Sequence, residues 1–136
     1  MSELRIVLGD DHTLVRQGVR KILEARPDWT VVAEAGDGRE AVRKTLELQP
    51  DVTVLDIGMP LLNGIEATRQ IARRAPGVHV LIVSMHTDEA YITQALQAGA
   101  IGYLLKDSAD TDLIRAVGDV AAGRSFLSPA GARVML

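Results

Sequence analysis

Apolar and polar positions along this chain fall into two alternating regimes. Short, nearly continuous apolar runs occupy about 4–9, 30–35, 52–56, 79–84 and 101–105. Runs of that length, rich in β-branched residues and bounded by turn residues, are the pattern of strands covered on both faces of a parallel sheet. Between them, side chains recur at helical spacing. Val15, Val19, Ile22 and Leu23 form one such face, and Ala41, Val42 and Leu46 a second. Ile65, Thr68, Ile71 and Ala72 form the third, Tyr91, Ile92, Ala95 and Leu96 the fourth, and Leu113, Ile114, Val117 and Ala121 the fifth. Steps of three, four and seven residues put each set on one stripe of an amphipathic helix.

The punctuation agrees with this division. Pro27 closes the first helix, Pro50 follows the second, Pro76-Gly77 ends the third and Gly99 the fourth. Asp88 is the expected N-cap of helix four, and Ser108 or Asp110 that of helix five. Five strand–helix units predict an α/β fold, a doubly wound five-stranded parallel sheet with helices on both faces. Past Gly123 the pattern changes. Ser128-Pro129 reads as the cap and first turn of another helix, the start of a linker.

In open parallel sheets the ligand crevice lies beyond the carboxyl ends of the strands. Asp10 and Asp11 follow the first run, Asp56 the third, Ser84 ends the fourth and Lys106 follows the fifth. A carboxylate in the place of Asp56 can attack phosphorus in line and form an acyl phosphate. Adjacent carboxylates such as Asp10-Asp11 repel and need a cation to stay charged when buried, and magnesium with its oxygen ligands suits them. A more ordinary reading has Asp11 capping the first helix and Asp10 in solvent. Lys106 offers a point charge to a carboxylate or phosphoryl oxygen, and the Ser84 hydroxyl a donor. Taken alone, Tyr103 is a half-buried aromatic with its hydroxyl in water. His12, His79 and His86 lack paired zinc-ligand spacing and are not read as ligands. Arg69, Arg73 and Arg74 are most simply a solvated face. Neither GxxxxGK nor GxGxxG occurs, so the glycines form no phosphate loop.

Composition narrows the classes further. The 136 residues are 47% hydrophobic but only 3% aromatic, so one domain is built around Val, Leu, Ile and Ala. Fifteen Lys and Arg against eighteen Asp and Glu give a net charge of -3, which argues against this segment gripping nucleic acid. There are no cysteines, which excludes disulfides, thiolate metal sites and Cys nucleophiles. No signal peptide or spanning apolar stretch is evident, so a cytoplasmic domain with no membrane contact is expected.

The ordered set Asp10-Asp11, Asp56-Ile-Gly-Met-Pro60, Ser84 and Lys106 resembles the receiver domain of bacterial two-component response regulators, over about Arg5 to Ala122. Gly99-Ala-Ile-Gly-Tyr-Leu-Leu-Lys-Asp107, Ser84-Met85-His86 and Gly123-Arg-Ser-Phe-Leu-Ser-Pro129 are similar to the NarL/FixJ (LuxR-type) class. The resemblance implies a flavodoxin-like receiver fold with strand order 2-1-3-4-5. It implies a receiver over 1–123 and, over 124–136, the start of a linker to an absent C-terminal helix-turn-helix DNA-binding domain. Asp56 is then the phosphoacceptor for a sensor histidine kinase. Asp10, Asp11, Asp56 and the backbone carbonyl of Gly58 hold Mg2+, and Ser84 and Lys106 bind the phosphoryl group. Tyr103 swings inward as Ser84 moves, changing the face of helix four, strand five and helix five. Helix one and the loop after strand five carry kinase specificity.

A phosphorylation-dependent homodimer is implied, with DNA reached only through the absent domain, and no enzymatic turnover beyond the acceptor's own phosphorylation and dephosphorylation. The alternative output is a stand-alone receiver acting by protein contacts. Departures from the class are Gly58, small where many relatives carry a longer side chain, Ser84 in place of Thr, and the bulky Met85. An aspartyl phosphohydrolase of the haloacid dehalogenase type would need a second Asp where Gly58 stands. A flavodoxin-like nucleotide or flavin binder would need a first loop that does not repel phosphate.

Overall fold

The computed structural model describes residues 3–128. The five expected strands form β1 (Leu4–Gly9), β2 (Trp29–Ala35), β3 (Val52–Leu55), β4 (His79–Ser84) and β5 (Gly102–Leu105). The helices between them are α1 (Thr13–Glu24), α2 (Gly38–Leu48), α3 (Gly64–Arg74), α4 (Glu89–Ala98) and α5 (Ala109–Ala121). A two-residue strand that the sequence did not announce, β6 (Phe126–Leu127), comes after α5. All pairings are parallel and the order is β2-β1-β3-β4-β5-β6. The predicted order therefore holds, with a sixth strand added at the β5 edge, where Gly102 pairs with Phe126 and Tyr103 with Leu127. Two residues are too few for any periodicity to reveal, and their pairing comes from the open edge of β5. The further helix expected from Ser128-Pro129 falls mostly outside the described residues.

Two apolar layers hold the sheet. On one face, Leu8, Val31, Val52, Val54, Leu81, Val83 and Leu104 pack with Leu23 of α1 and with Leu113, Val117 and Val120 of α5. On the other, Leu55, Val80, Ile82 and Tyr103 pack with Val42, Ile65, Ile71 and Ile92 of α2, α3 and α4. Alternation along β3 shows the logic, since Val52 and Val54 face one layer while Leu55 faces the other. On that second face Thr53 keeps a hydroxyl in the core by pairing with Thr45 at 3.0 Å, which removes the penalty of an unmet polar group.

The helix starts correct part of the sequence reading. Asp88 and Ser108 occupy N-cap positions, but neither side chain accepts a capping bond, and Asp110 lies within the first turn of α5. The bonded caps are Asp37, which accepts from the Glu40 amide at 2.8 Å, and Asn63, which accepts from the Glu66 amide at 2.9 Å. In both, an acidic residue three places on also favours the positive end of the helix.

β2 carries an irregularity. Its register against β1 slips between Ile6 and Val7, so that Ile6 pairs with Val31 but Val7 with Ala33. The extra residue rotates the remainder of the strand onto the opposite face. Glu34 thereby pairs with Leu8 and turns toward α1, where Arg16 Nε lies 2.8 Å and Arg20 Nη1 2.5 Å from its carboxylate. The Glu34 carboxyl is held below the usual 4.5, first by the hydrogen bond from Arg20, and Arg20 does the same to Glu24. A carboxyl with a depressed folded-state pKa adds stability above its unfolded value and loses that increment as pH falls through the folded one. The Tm difference between wild type and Arg20→Gln is therefore expected to be open at neutral pH and to close as pH drops below 4.5. A difference that persists undiminished in acid would contradict the ion-pair origin.

Candidate functional site

Register alone brings the polar strand ends together. Gly9 pairs with Leu55, and the amide of Asp56 donates to the Gly9 carbonyl at 2.9 Å, so Asp10 and Asp56 emerge side by side. Ser84 pairs with Leu105, which brings Lys106 out beside them across β4. Lys106 Nζ lies 3.3 Å from Asp10 Oδ2 and 3.3 Å from Asp56 Oδ2. Side chains of Asp10 and Asp56 are each 10% exposed, and that of Lys106 17%.

Ligand atoms of Asp10, Asp11, Asp56 and His12 all fall within 4.8 Å of one another. Three carboxylates against one ammonium leave two formal negative charges, which one divalent cation balances. An all-oxygen carboxylate set is what magnesium takes, so the residues fit that ion.

Asp10 is buried and accepts from the His12 amide at 2.8 Å. Asp11 is exposed and caps nothing, since the N-cap position of α1 belongs to His12. The ordinary reading of the pair as cap and solvated neighbour is thus reversed, because the β1 register carries Asp10 into the crevice. His12, read from its spacing as no ligand, stands in the cluster with Nδ1 3.1 Å from Asp11 Oδ1. Zinc-type spacing rules could not find it, because its companions are carboxylates and one of them lies on another strand.

Ser84 is fully buried, and its hydroxyl accepts from the His86 amide at 3.0 Å. Tyr103 departs from the half-buried reading it has when taken alone. It is fully buried, and its hydroxyl donates to the His86 carbonyl at 2.9 Å. Burial pushes the phenol above its usual 10.0, with the Ser84 hydroxyl working the other way. Ser84 and Tyr103 thus hold the β4–α4 loop by both backbone groups of one residue. Tyr103→Phe leaves the His86 carbonyl without its donor, at a cost of about 1 kcal/mol. Faster amide exchange at residues 85–88 and a lowered denaturation midpoint are the expected outcome; unchanged exchange would remove Tyr103 as the anchor.

A Cβ at Gly58 would meet nothing within 4 Å, so the loop is open at this departure from the class. Met85 is exposed and stands beside the crevice. With Val15, Val19, Val54 and Val83 it lines a cavity of about 310 Å³ that opens onto Asp10, Asp56 and Lys106. Arg16 was missed by the sequence reading. Its Nη1 donates to the Asp10 carbonyl at 2.5 Å while its Nε holds Glu34, tying the acidic loop to β2. No sequence signal marks it, because the partner is a backbone atom. Arg69 pairs with Glu66 on the surface of α3, as a solvated arginine does.

A doubly wound parallel sheet with an acidic, lysine-bearing crevice at its carboxyl edge is the frame of a receiver module. A family model described as the response regulator receiver domain matches residues 6–118, and the chain belongs to that family. Its relatives are regulators of the NarL/LuxR class. It is 46% identical over 128 residues to the transcriptional regulatory protein DegU of Brevibacillus brevis, covering 94% of this chain and 54% of that protein. Among solved structures it is similar to a LuxR-family two-component response regulator from Aurantimonas sp. SI85-9A1, with TM-score 0.92, 42% identity, and 98% and 96% of the two chains covered. It is likewise similar to the signal receiver domain of NarL from Mycobacterium tuberculosis, with TM-score 0.87, 40% identity, and 91% and 100% covered. The chain spans about half the length of the curated relatives it matches. No helix among the described residues is long and apolar enough to cross a membrane.

Proposed function

We propose that this chain is a phosphorylation-switched receiver that accepts a phosphoryl group on Asp56 from the phosphohistidine of a sensor kinase. The observation that carries the reading is the single crevice in which Asp10, Asp11 and Asp56 meet Lys106. In the transfer, a carboxylate oxygen of Asp56 bonds to phosphorus as the P–N bond to the donor imidazole breaks. The products are an acyl phosphate and a kinase imidazole that takes up a proton. Asp10, Asp11, Asp56 and the Gly58 carbonyl would hold Mg2+. When bound, the ion supplies positive charge against the mutual repulsion of carboxylates and phosphoryl oxygens.

Lys106 already faces the Asp56 oxygen and pairs with the added phosphoryl charge. The Ser84 hydroxyl turns to donate to a phosphoryl oxygen. That turn releases the His86 amide, so the β4–α4 loop repacks around Tyr103 and the α4–β5–α5 face changes. A phosphoryl group that favours one of two packings shifts their populations. The output, by the names of the longer relatives, is transcriptional. On this reading the residues from 124 onward lead to a helix-turn-helix domain that contacts DNA, phosphorylation favours a homodimer, and the protein works in the cytoplasm.

Intact-mass measurement with acetyl phosphate tests the reading. One phosphoryl group is expected to appear with magnesium and to be absent in excess chelator. No mass gain, together with no binding of beryllofluoride, would remove the phosphoacceptor assignment.

A further inference from the structure

The groove between α2 and α3 takes no part in the phosphoryl chemistry. The two helices lie side by side on the face of the sheet opposite α1 and α5, with α2 over β1 and β2 and α3 toward β4, away from the β5 edge. Between them a depression of about 710 Å³ opens to solvent. Its floor is aliphatic: Val42 is buried, and Leu46 and Leu62 are half-buried. Leu61 stands at its rim with 68% of its surface exposed. Leu61 also has φ +68, the left-handed region that a bulky side chain rarely enters. The Gly38 and Leu62 amides both donate to the Pro60 carbonyl, at 3.4 and 2.7 Å, so this loop is tied to the start of α2. In the free chain an aliphatic side chain that is exposed and held at positive φ gains no burial to offset its strain. Strain of that kind points to a surface kept for contacts.

The walls of the groove are basic. Arg39 and Arg43 stand one turn apart on α2, and Arg74 ends α3. Among the described residues Arg39 and Arg74 enter no ion pair, and Arg43 reaches only Glu47, at 3.8 Å. Three arginines against that one glutamate give the groove a positive excess, on a chain whose net charge is -3. An aliphatic floor between cationic walls complements a helix with an apolar stripe flanked by carboxylates. Nucleic acid would meet the arginines but brings no aliphatic stripe for the leucines, and a basic helix would be repelled. We infer that the α2–α3 groove docks an acidic amphipathic helix of a partner protein, its apolar stripe on Val42, Leu46, Leu61 and Leu62 and its carboxylates on Arg39, Arg43 and Arg74. Each groove helix has 11 residues, a length of about 16 Å, so an occupant of about three turns spans the site. The surface stands apart from the Asp56 crevice and from the α4–β5–α5 face, so the partner and the phosphoryl group can be held together.

The test uses a stapled peptide helix of about three turns with leucines along one stripe and glutamates beside it. Its counterpart carries lysines for the glutamates, and a single-stranded DNA oligonucleotide is the third probe. Each is titrated by fluorescence anisotropy and amide NMR into the 136-residue chain and into its Arg39→Glu/Arg74→Glu and Leu61→Asn variants. The glutamate helix is expected to bind with shifts confined to residues 39–47 and 60–74, and the lysine helix not to bind. Reversing two arginines is expected to weaken binding about tenfold, and raised salt to weaken it further. Asn tolerates positive φ, so Leu61→Asn is expected to weaken binding while the denaturation midpoint stays level or rises. A lowered midpoint with unchanged peptide affinity would make Leu61 a packing residue and overturn its place in the site. No binding of the glutamate helix, equal binding of both helices, or shifts on another face would overturn the inference. Tighter binding of the oligonucleotide at the same residues would replace it with a nucleic-acid surface.

Discussion

Asp56→Asn is expected to take up no phosphoryl group from acetyl phosphate at any magnesium concentration, where the wild-type chain takes up one. The amide keeps the shape of the carboxylate but not its nucleophilic oxygen. The effect is expected to be all or none because the neighbouring carboxylates are read as cation ligands and not as acceptors. Asp10 Oδ1 is committed to the His12 amide and Oδ2 faces Lys106, while Asp11 is exposed at the outer side of the cluster. Asp56 has a similar hold, with Oδ1 fixed by the Ile57 amide at 2.9 Å and Oδ2 turned to the ammonium of Lys106, and it follows β3 between β1 and β4, ahead of the open position at Gly58. Undiminished labelling of the variant, mapped by peptide mass to another residue, would sink the assignment.

The second large effect is structural and acts on the same loop. Gly64 opens α3, and a Cβ there would collide with the carbonyl oxygen of Asp56 and lie 2.9 Å from Ile57 Cα. These are backbone atoms, so no rotamer change relieves the overlap. Gly38 meets the Leu62 carbonyl in the same way at the start of α2, so both helices close tightly on the loop after β3. Gly64→Ala is expected to cost about 2–3 kcal/mol by chemical denaturation. Displacing the Asp56 carboxylate by about 1 Å is expected to slow labelling about 100-fold. Gly58→Ala is the control, since that position has open space around it. It should leave stability within about 0.5 kcal/mol of wild type. Equal stabilities of the two variants would show that the loop can move aside and that its closeness to α3 does not hold Asp56.

Five strands and five helices were legible because strands covered on both faces read as short continuous apolar runs, as β3 and β4 do, while helices that bury one face repeat near 3.6. Asp10, Asp56, Ser84 and Lys106 were legible for a related reason. A parallel sheet carries all its carboxyl ends to one edge, so polar residues that end apolar runs must be neighbours.

Features hidden from the chain pattern depended on partners far along the sequence. The β1–β2 slip turns Glu34 toward Arg16 and Arg20, whereas strict alternation from Val31 would have turned Ala35 that way instead. Arg16 acts on a backbone carbonyl, β6 exists only because β5 offers an edge, and Tyr103 finds its acceptor seventeen residues away at His86. His12 joins Asp56 only once β1 and β3 lie side by side. Local periodicity was enough to dictate the strand and helix segments, their apolar faces and which polar groups reach the carboxyl edge. Registers, bonded caps and the partner of each polar atom were set by the folded arrangement, because a hydrogen bond or ion pair depends on distances between segments that hydropathy does not encode.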